Sequence, residues 1–171
     1  NGIQPMTCRY GNKEYTIIYN GELYNTEEIR NELTHHGYKF SGHSDTEVIL
    51  KSYIQWEENC LERFNGIFAF AIWDDYKQHL FFARDRIGVK PLFYTIKDNS
   101  FIFGSEIKAL LEHKYVEAEI DENSIAEIMF IGPGRTPGCG VFKRINEVKP
   151  ACCGFYSKSG MKIRKYWTLK D

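Results

Sequence analysis

A membrane-length apolar run, a secretory leader, a cysteine pairing pattern and an excess of either charge are all missing from this 171-residue chain. Its longest uninterrupted apolar stretch is Ile67 to Trp73, and a bilayer-crossing helix needs roughly 20 such residues. A transmembrane helix is therefore excluded. The opening Asn1-Gly2-Ile3-Gln4-Pro5-Met6 has neither the basic start nor the apolar stretch of a signal peptide, so the expected location is the cytoplasm. The 5 cysteines are odd in number, form no C-x-x-C, and include the adjacent pair Cys152-Cys153, too close for an ordinary bridge. Nor do the 5 histidines give metal-ligand spacing, because His35 and His36 are neighbours that would point apart on a helix. With 22 Lys and Arg against 23 Asp and Glu, the net charge is −1, and nothing in the balance draws the chain to nucleic acid or an anionic membrane.

What is present suits a single domain with a sizeable core: 43% of residues are hydrophobic and 26% charged, with no internal repeat or low-complexity tract. Tyr15 to Tyr19 is β-branched and aromatic throughout and reads as a buried strand, closed by a turn at Asn20-Gly21. A helix follows from Asn25 to a stop at Gly37, with Ile29 and Leu33 four apart. Another opens at Ser44, where Glu47 three residues on makes an S-x-x-E capping box and Val48, Ile49, Tyr53 and Trp56 trace the apolar face. Ile67 to Trp73, Leu80 to Ala83, Leu92 to Ile96 and Phe101 to Phe103 read as antiparallel strands, the first covered on both faces because it does not alternate. Helices are expected at Ser105 to Leu111 and Asp121 to Phe130, then a Gly/Pro loop at Gly132 to Gly138 and further strands. The order argues for α+β, helices layered on mainly antiparallel sheets.

Three segments carry residue types with chemical potential. Asn20-Gly21-Glu22 combines a side-chain amide with a backbone N–H that no Cβ shields, the two donors an oxyanion hole needs; read alone, Asn-Gly is first a type I′ hairpin turn, although no partner strand follows it. In Ser44-Asp45-Thr46-Glu47, the Asp45 carboxylate either complements the helix macrodipole or pairs with the ammonium group of a small substrate. The run from Arg84 to Pro91 lacks the G-x-x-x-x-G-K-[ST] pattern of a phosphate loop, and internal ion pairing that fixes a turn is the expectation.

Taken in order, Tyr19-Asn20-Gly21-Glu22-Leu23-Tyr24-Asn25, Ser44 to Leu50, Asn65 to Asp74, Arg84 to Tyr94 and Gly104 to Leu110 closely resemble the glutaminase domain of the glutamine-hydrolysing asparagine synthetases. The likeness covers nearly the whole chain, including Gly132 to Gly138 and Lys165-Tyr166-Trp167. It implies a class II glutamine amidotransferase domain of the N-terminal-nucleophile hydrolase type: a four-layer α-β-β-α sandwich of mainly antiparallel sheets, here a partial domain over 1–171 truncated at the N-terminus, with about 160–171 starting the passage to an absent synthetase domain. Such a domain hydrolyses glutamine to glutamate and ammonia, and the ammonia reaches a second domain that activates aspartate with ATP. By the same resemblance Asn20 and the Gly21 amide form the oxyanion hole, and Glu22 and Asp45 hold the α-amino end of glutamine. Arg84, Asp85 and Lys90 brace a turn, and Phe68, Phe70 and Trp73 fill the core. No cofactor or metal is implied here; ATP and Mg belong to the synthetase domain, which is the expected partner beside glutamine.

One departure bears on activity. The family's nucleophile is a first-position cysteine whose own α-amine acts as base, and here position 1 is Asn1, which has no thiol or hydroxyl. The chain as given is thus expected to be inactive, with the nucleophile and the arginine that binds the glutamine carboxylate lying upstream. Cys8 has no free amine and no adjacent His to replace it. The alternatives are a non-catalytic scaffold or binding domain of the same fold, or the glutaminase domain of another enzyme such as glutamine phosphoribosylpyrophosphate amidotransferase or glucosamine-6-phosphate synthase. The wording of Arg84 to Pro91 and Ser105 to Leu110 sides with the asparagine synthetases. Loss of strands to truncation would leave open sheet edges and an apolar face, favouring a homo-oligomer such as a domain-swapped dimer.

Overall fold

The computed structural model describes residues 3–132 and 134–169, so Asn1, Gly2, Pro133 of the Gly/Pro loop, Lys170 and Asp171 lie outside the described residues. Nine strands and five short or medium α-helices follow in the order β1 (Met6–Tyr10), β2 (Lys13–Leu23), α1 (Thr26–His35), α2 (Asp45–Trp56), α3 (Cys60–Arg63), β3 (Gly66–Asp74), β4 (His79–Arg84), β5 (Phe93–Lys97), β6 (Ser100–Gly104), α4 (Ile107–Leu111), α5 (Glu122–Ala126), β7 (Asn146–Glu147), β8 (Cys152–Ser157) and β9 (Gly160–Lys165). A six-stranded sheet runs β1-β2-β3-β4-β8-β9 and a three-stranded sheet runs β6-β5-β7. Every strand pairing among the described residues is antiparallel.

Period-two alternation sorts the side chains into three cores. Tyr15, Ile17 and Tyr19 of β2 meet Ile29 and Leu33 of α1 and Val48, Ile49 and Tyr53 of α2 on one face of the large sheet. On its other face Ala69, Ala71 and Phe82 meet Leu92, Tyr94 and Val148 from the small sheet. Phe93 and Ile145 then pack outward against Leu110 of α4. Three cores between helix, sheet, sheet and helix make the four-layer α-β-β-α order. Phe68 to Ile72 is buried throughout, as its non-alternating composition requires.

Several local expectations are corrected. Asn20-Gly21 is no hairpin turn: β2 continues to Leu23, paired with β3 from Tyr15↔Asp74 to Leu23↔Gly66. Gly21 serves a close approach instead, since a Cβ there would stand 2.2 Å from the Ile67 carbonyl oxygen and 2.8 Å from Phe68 Cα. Trp73 does not fill the core: it shares the face of the buried Ala69 and Ala71 but is itself 36% exposed near the end of β3, where its indole N–H donates to Asp75 at 3.3 Å. The helix expected through Phe130 is α-helical only to Ala126 and continues as a wider π turn over Glu127–Ile131, whose Ile128, Met129 and Phe130 remain exposed. Apart from these corrections, residues 160–165 form β9 of the large sheet, and Tyr166 donates its N–H to Ala151 O (2.8 Å) and its hydroxyl to Arg84 O (2.8 Å). Among the described residues no helix is long and apolar enough to cross a membrane.

Candidate active site

The end of β2 directs donors two ways. In an antiparallel pair, alternate N–H groups point to alternate neighbours. Tyr24 N–H donates to Asn65 O (2.8 Å) across the β3 side, while Tyr19 N–H goes the other way to Gln4 Oε1 (2.6 Å) and Leu23 N–H to Asp45 Oδ2 (3.3 Å). Gly21, midway between Tyr19 and Leu23, therefore presents its N–H to the same outer edge. Its opposite residue Phe68 is engaged elsewhere, donating to Asp85 Oδ2 at 3.3 Å and accepting from Asp85 N–H at 2.7 Å. No acceptor for the Gly21 N–H is found among the described residues.

Asn20 projects to the face opposite Tyr19, where its Nδ2 donates to Ser105 Oγ at 3.2 Å. Both residues line the mouth of a cleft of about 440 Å³ between the sheets, walled by Ile18, Ala69, Leu92 and Phe103. Glu22 shares this face by alternation and is exposed. Its carboxylate has no hydrogen-bond partner among the described residues.

Asp45 arrives from the first residue of α2. Ser44 caps that helix, its Oγ accepting from Thr46 N–H at 3.1 Å. The expected capping box is only half made, because Glu47 turns away to accept from Ser41 N–H (2.9 Å) and Gly42 N–H (3.1 Å) and to pair with Lys51. Burial opposes ionisation of Glu47, but Lys51 and those N–H groups outweigh it and hold the carboxyl below its usual range. Asp45 instead reaches the strand: Oδ2 accepts from the Tyr19 hydroxyl (2.7 Å) and Leu23 N–H (3.3 Å), and Oδ1 from Thr46 N–H (2.9 Å). Burial, then the bond to Asp45, pushes the Tyr19 phenol far above its ordinary pKa, so it stays a donor at neutral pH.

Asn20, Gly21, Glu22 and Asp45 are thus gathered at one strand end, Asn20 and Glu22 on the cleft face and Asp45 on the helix face. Chemically, this places N–H donors and two carboxylates at one edge, a setting for a ligand with a carbonyl at one end and an ammonium at the other. Sequence reasoning missed three supports: Gln4, Tyr19 and Ser105. Tyr19 was detectable as the residue alternating with Asn20 on a strand; Ser105 lay in the Gly104 to Leu110 segment with no signal of its target.

The Arg84 to Pro91 segment is self-satisfied. Asp85 is fully buried and accepts N–H groups from Phe68 (3.3 Å), Ile87 (3.2 Å), Gly88 (2.7 Å), Val89 (3.0 Å) and Lys90 (2.9 Å). Arg84 does not pair with it, as internal ion pairing would suggest, but donates to the carbonyls of Lys90, Val148 and Gly88 and pairs with Glu147 at 3.1 Å. Lys90 contributes through its backbone N–H and carbonyl. Gly88 takes φ +73°, and a Cβ there would strike Pro150 at 2.6 Å.

All 5 cysteines fall among the described residues, and none is placed to attack a ligand at the β2 end. Cys8 opposes Tyr15, which puts it roughly 17 Å along the strand from Asn20 at about 3.3 Å per residue, and burial raises its thiol pKa. Cys60 and Cys153 are buried in the first core, with Cys153 pushed up to about 11 by burial. Cys152 lies in the inter-sheet core, and Cys139 beside the β7 bridge. No cluster of three or more His, Cys, Asp or Glu able to hold a metal occurs among the described residues.

Known proteins agree with this architecture. An asparagine synthetase (glutamine-hydrolysing) of Bacillus subtilis, number 3 of that organism, is 54% identical over 170 residues, covering 99% of this chain and 28% of its own length. Number 2 of the same organism is 31% identical over 177 residues, covering 100% of this chain and 23% of its own. The chain thus spans well under a third of the length of these relatives. Among solved structures, glutamine phosphoribosylpyrophosphate amidotransferase of B. subtilis superposes with TM-score 0.69 at 20% identity over 98% of this chain and 32% of its own, a likeness of fold. A class II glutamine amidotransferase domain protein from Silicibacter pomeroyi gives TM-score 0.54 at 13% identity, covering 89% of this chain and 67% of that one. The family model of the glutamine amidotransferase domain matches residues 1–167. With the four-layer sandwich and a match of that extent, this chain belongs to the glutamine amidotransferase domain family.

Proposed function

We propose that these residues form the oxyanion and amino-binding half of a glutaminase site, and that the parent protein is a glutamine-hydrolysing asparagine synthetase. The observation that carries the reading is the bond from Leu23 N–H to Asp45 Oδ2, which brings a helix-borne carboxylate to the strand end bearing Asn20, Gly21 and Glu22. Glu22 and Asp45 hold the α-ammonium of glutamine by charge-assisted hydrogen bonds. The second N–H of Asn20 and the N–H of Gly21 stabilise the oxygen that turns negative when the side-chain amide is attacked.

The attacking thiol comes from outside these 171 residues, since Cys60, Cys152 and Cys153 are buried, Cys8 lies far along the strand, and Cys139 bridges β7, two strands from the β6 edge that leads to Ser105. On this reading the isolated chain releases no glutamate. In the parent, ammonia passes to a synthetase domain that uses ATP and Mg²⁺ to amidate aspartate in the cytoplasm. The test is Asp45→Asn in the full-length protein: KM for glutamine rises about tenfold or more, as loss of one charge-assisted contact requires, while asparagine formation from added ammonia is unchanged. An unaltered KM for glutamine refutes the assignment of Asp45.

A further inference from the structure

We propose that Ser105 is a positioning residue for the reaction, fixing the carboxamide of Asn20 so that one N–H points at the developing oxyanion. The inference rests on the reading of Asn20 as an oxyanion donor. Asn20 is exposed at a strand end, where its side chain is otherwise free to rotate. A donor with that freedom gives little, because productive geometry is held to within roughly 0.5 Å by neighbouring bonds. The only side-chain bond Asn20 makes among the described residues is to Ser105 Oγ, at 3.2 Å.

Ser105 is well anchored for such work. It belongs to the opposite sheet, one residue beyond β6, whose last residue Gly104 is in register with the buried Phe93. Gly104 packs so tightly on α4 that a Cβ would sit 3.2 Å from Leu110 Cδ1, and Leu110 is itself 1% exposed. The hydroxyl is thus delivered by backbone that the third core holds still.

The chemistry favours a serine. A carboxamide nitrogen carries two protons. The Ser105 oxygen accepts one, which sets both side-chain torsions and leaves the other proton directed away from Ser105. A neutral acceptor also adds no negative charge near the oxygen that must become anionic, which an Asp at the same place would do.

The experiment uses the full-length protein that carries this domain, with Ser105→Ala and Ser105→Thr made singly and with Asn20→Ala, and steady-state glutamine hydrolysis as the readout. Removing one oxyanion donor lowers kcat about a hundredfold. Ser105→Ala is expected to lower kcat about tenfold with KM changed less than about twofold, and Ser105→Thr to recover most of that loss because it keeps the acceptor. In the Asn20→Ala background, Ser105→Ala costs less than about a further twofold, since nothing remains to be positioned. Equal losses in both backgrounds, or no loss from Ser105→Ala, overturn the proposal and leave the site reading intact. No loss from Asn20→Ala itself sinks both.

Discussion

Two charged segments of this molecule sit at strand ends and have opposite fates. At the end of β4, Asp85 is fully buried and takes five backbone N–H groups, closing the 84–91 turn on itself. At the end of β2, Asn20, Gly21 and Glu22 keep donor or acceptor capacity that no described residue uses, and Asp45 is braced but reachable. The difference teaches what separates scaffold from site. A buried polar group is tolerated only when saturated, so a saturated cluster has nothing left for a ligand. Capacity held in reserve at an edge is what a substrate can use.

The sharpest way to break this contrast is to remove one polar side chain from each side. Asp85→Ala leaves five N–H groups without their carboxylate and is expected to cost about 3–5 kcal/mol, read by urea denaturation of the domain. Asn20→Ala, which removes one exposed bond, is expected to change stability by less than about 0.5 kcal/mol in the same assay. Comparable losses from both would erase the distinction.

Gly21→Ala comes next. Its methyl would overlap the Ile67 carbonyl, and overpacking of this kind costs about 1–3 kcal/mol. A drop in melting temperature with the β2–β3 amide exchange loosened would confirm that this glycine answers a steric demand of the sheet. Tyr19→Phe should cost about 1–2 kcal/mol, because Asp45 loses the hydroxyl that braces it and is left under-satisfied. Circular dichroism melts of the single variant and of Tyr19→Phe with Asp45→Asn would show less than additive losses.

The smallest effect is in the pH dependence. Since the Glu47 carboxyl is held below its ordinary value of 4.5, the unfolded chain takes up the proton first on acidification. Its contribution is therefore fully present above about pH 4.5 and is lost as pH falls through the lower folded value. Glu47→Gln should flatten the acid limb of a stability-versus-pH curve below that point and leave the neutral limb parallel to wild type.

Much of the fold was legible because its signals are local. The non-alternating Phe68 to Ile72 announced a strand buried on both faces, and the paired Ile29 and Leu33 announced α1. Asn20-Gly21 misled as a turn for a definite reason: glycine is chosen both for positive φ and for close approach, and composition does not say which. The capping box misled likewise, because Glu47 found better partners in Ser41, Gly42 and Lys51 than the backbone of its own cap. Trp73 was read from hydrophobicity, whereas its place one residue from the end of β3 leaves it partly exposed on the face that buries Ala69 and Ala71.

By itself the sequence determined the family, the α+β class and most elements, and it singled out Asn20, Gly21, Glu22 and Asp45 as candidates, because periodicity and ordered motifs are carried by neighbours along the chain. Only the tertiary structure decided that Tyr19 braces Asp45, that Ser105 crosses from the second sheet to hold Asn20, and that Asp85 spends all its capacity internally. Hydrogen bonds act over about 3 Å of space and are indifferent to separation along the chain. Which polar groups are used up and which remain open is therefore settled only once the layers have packed.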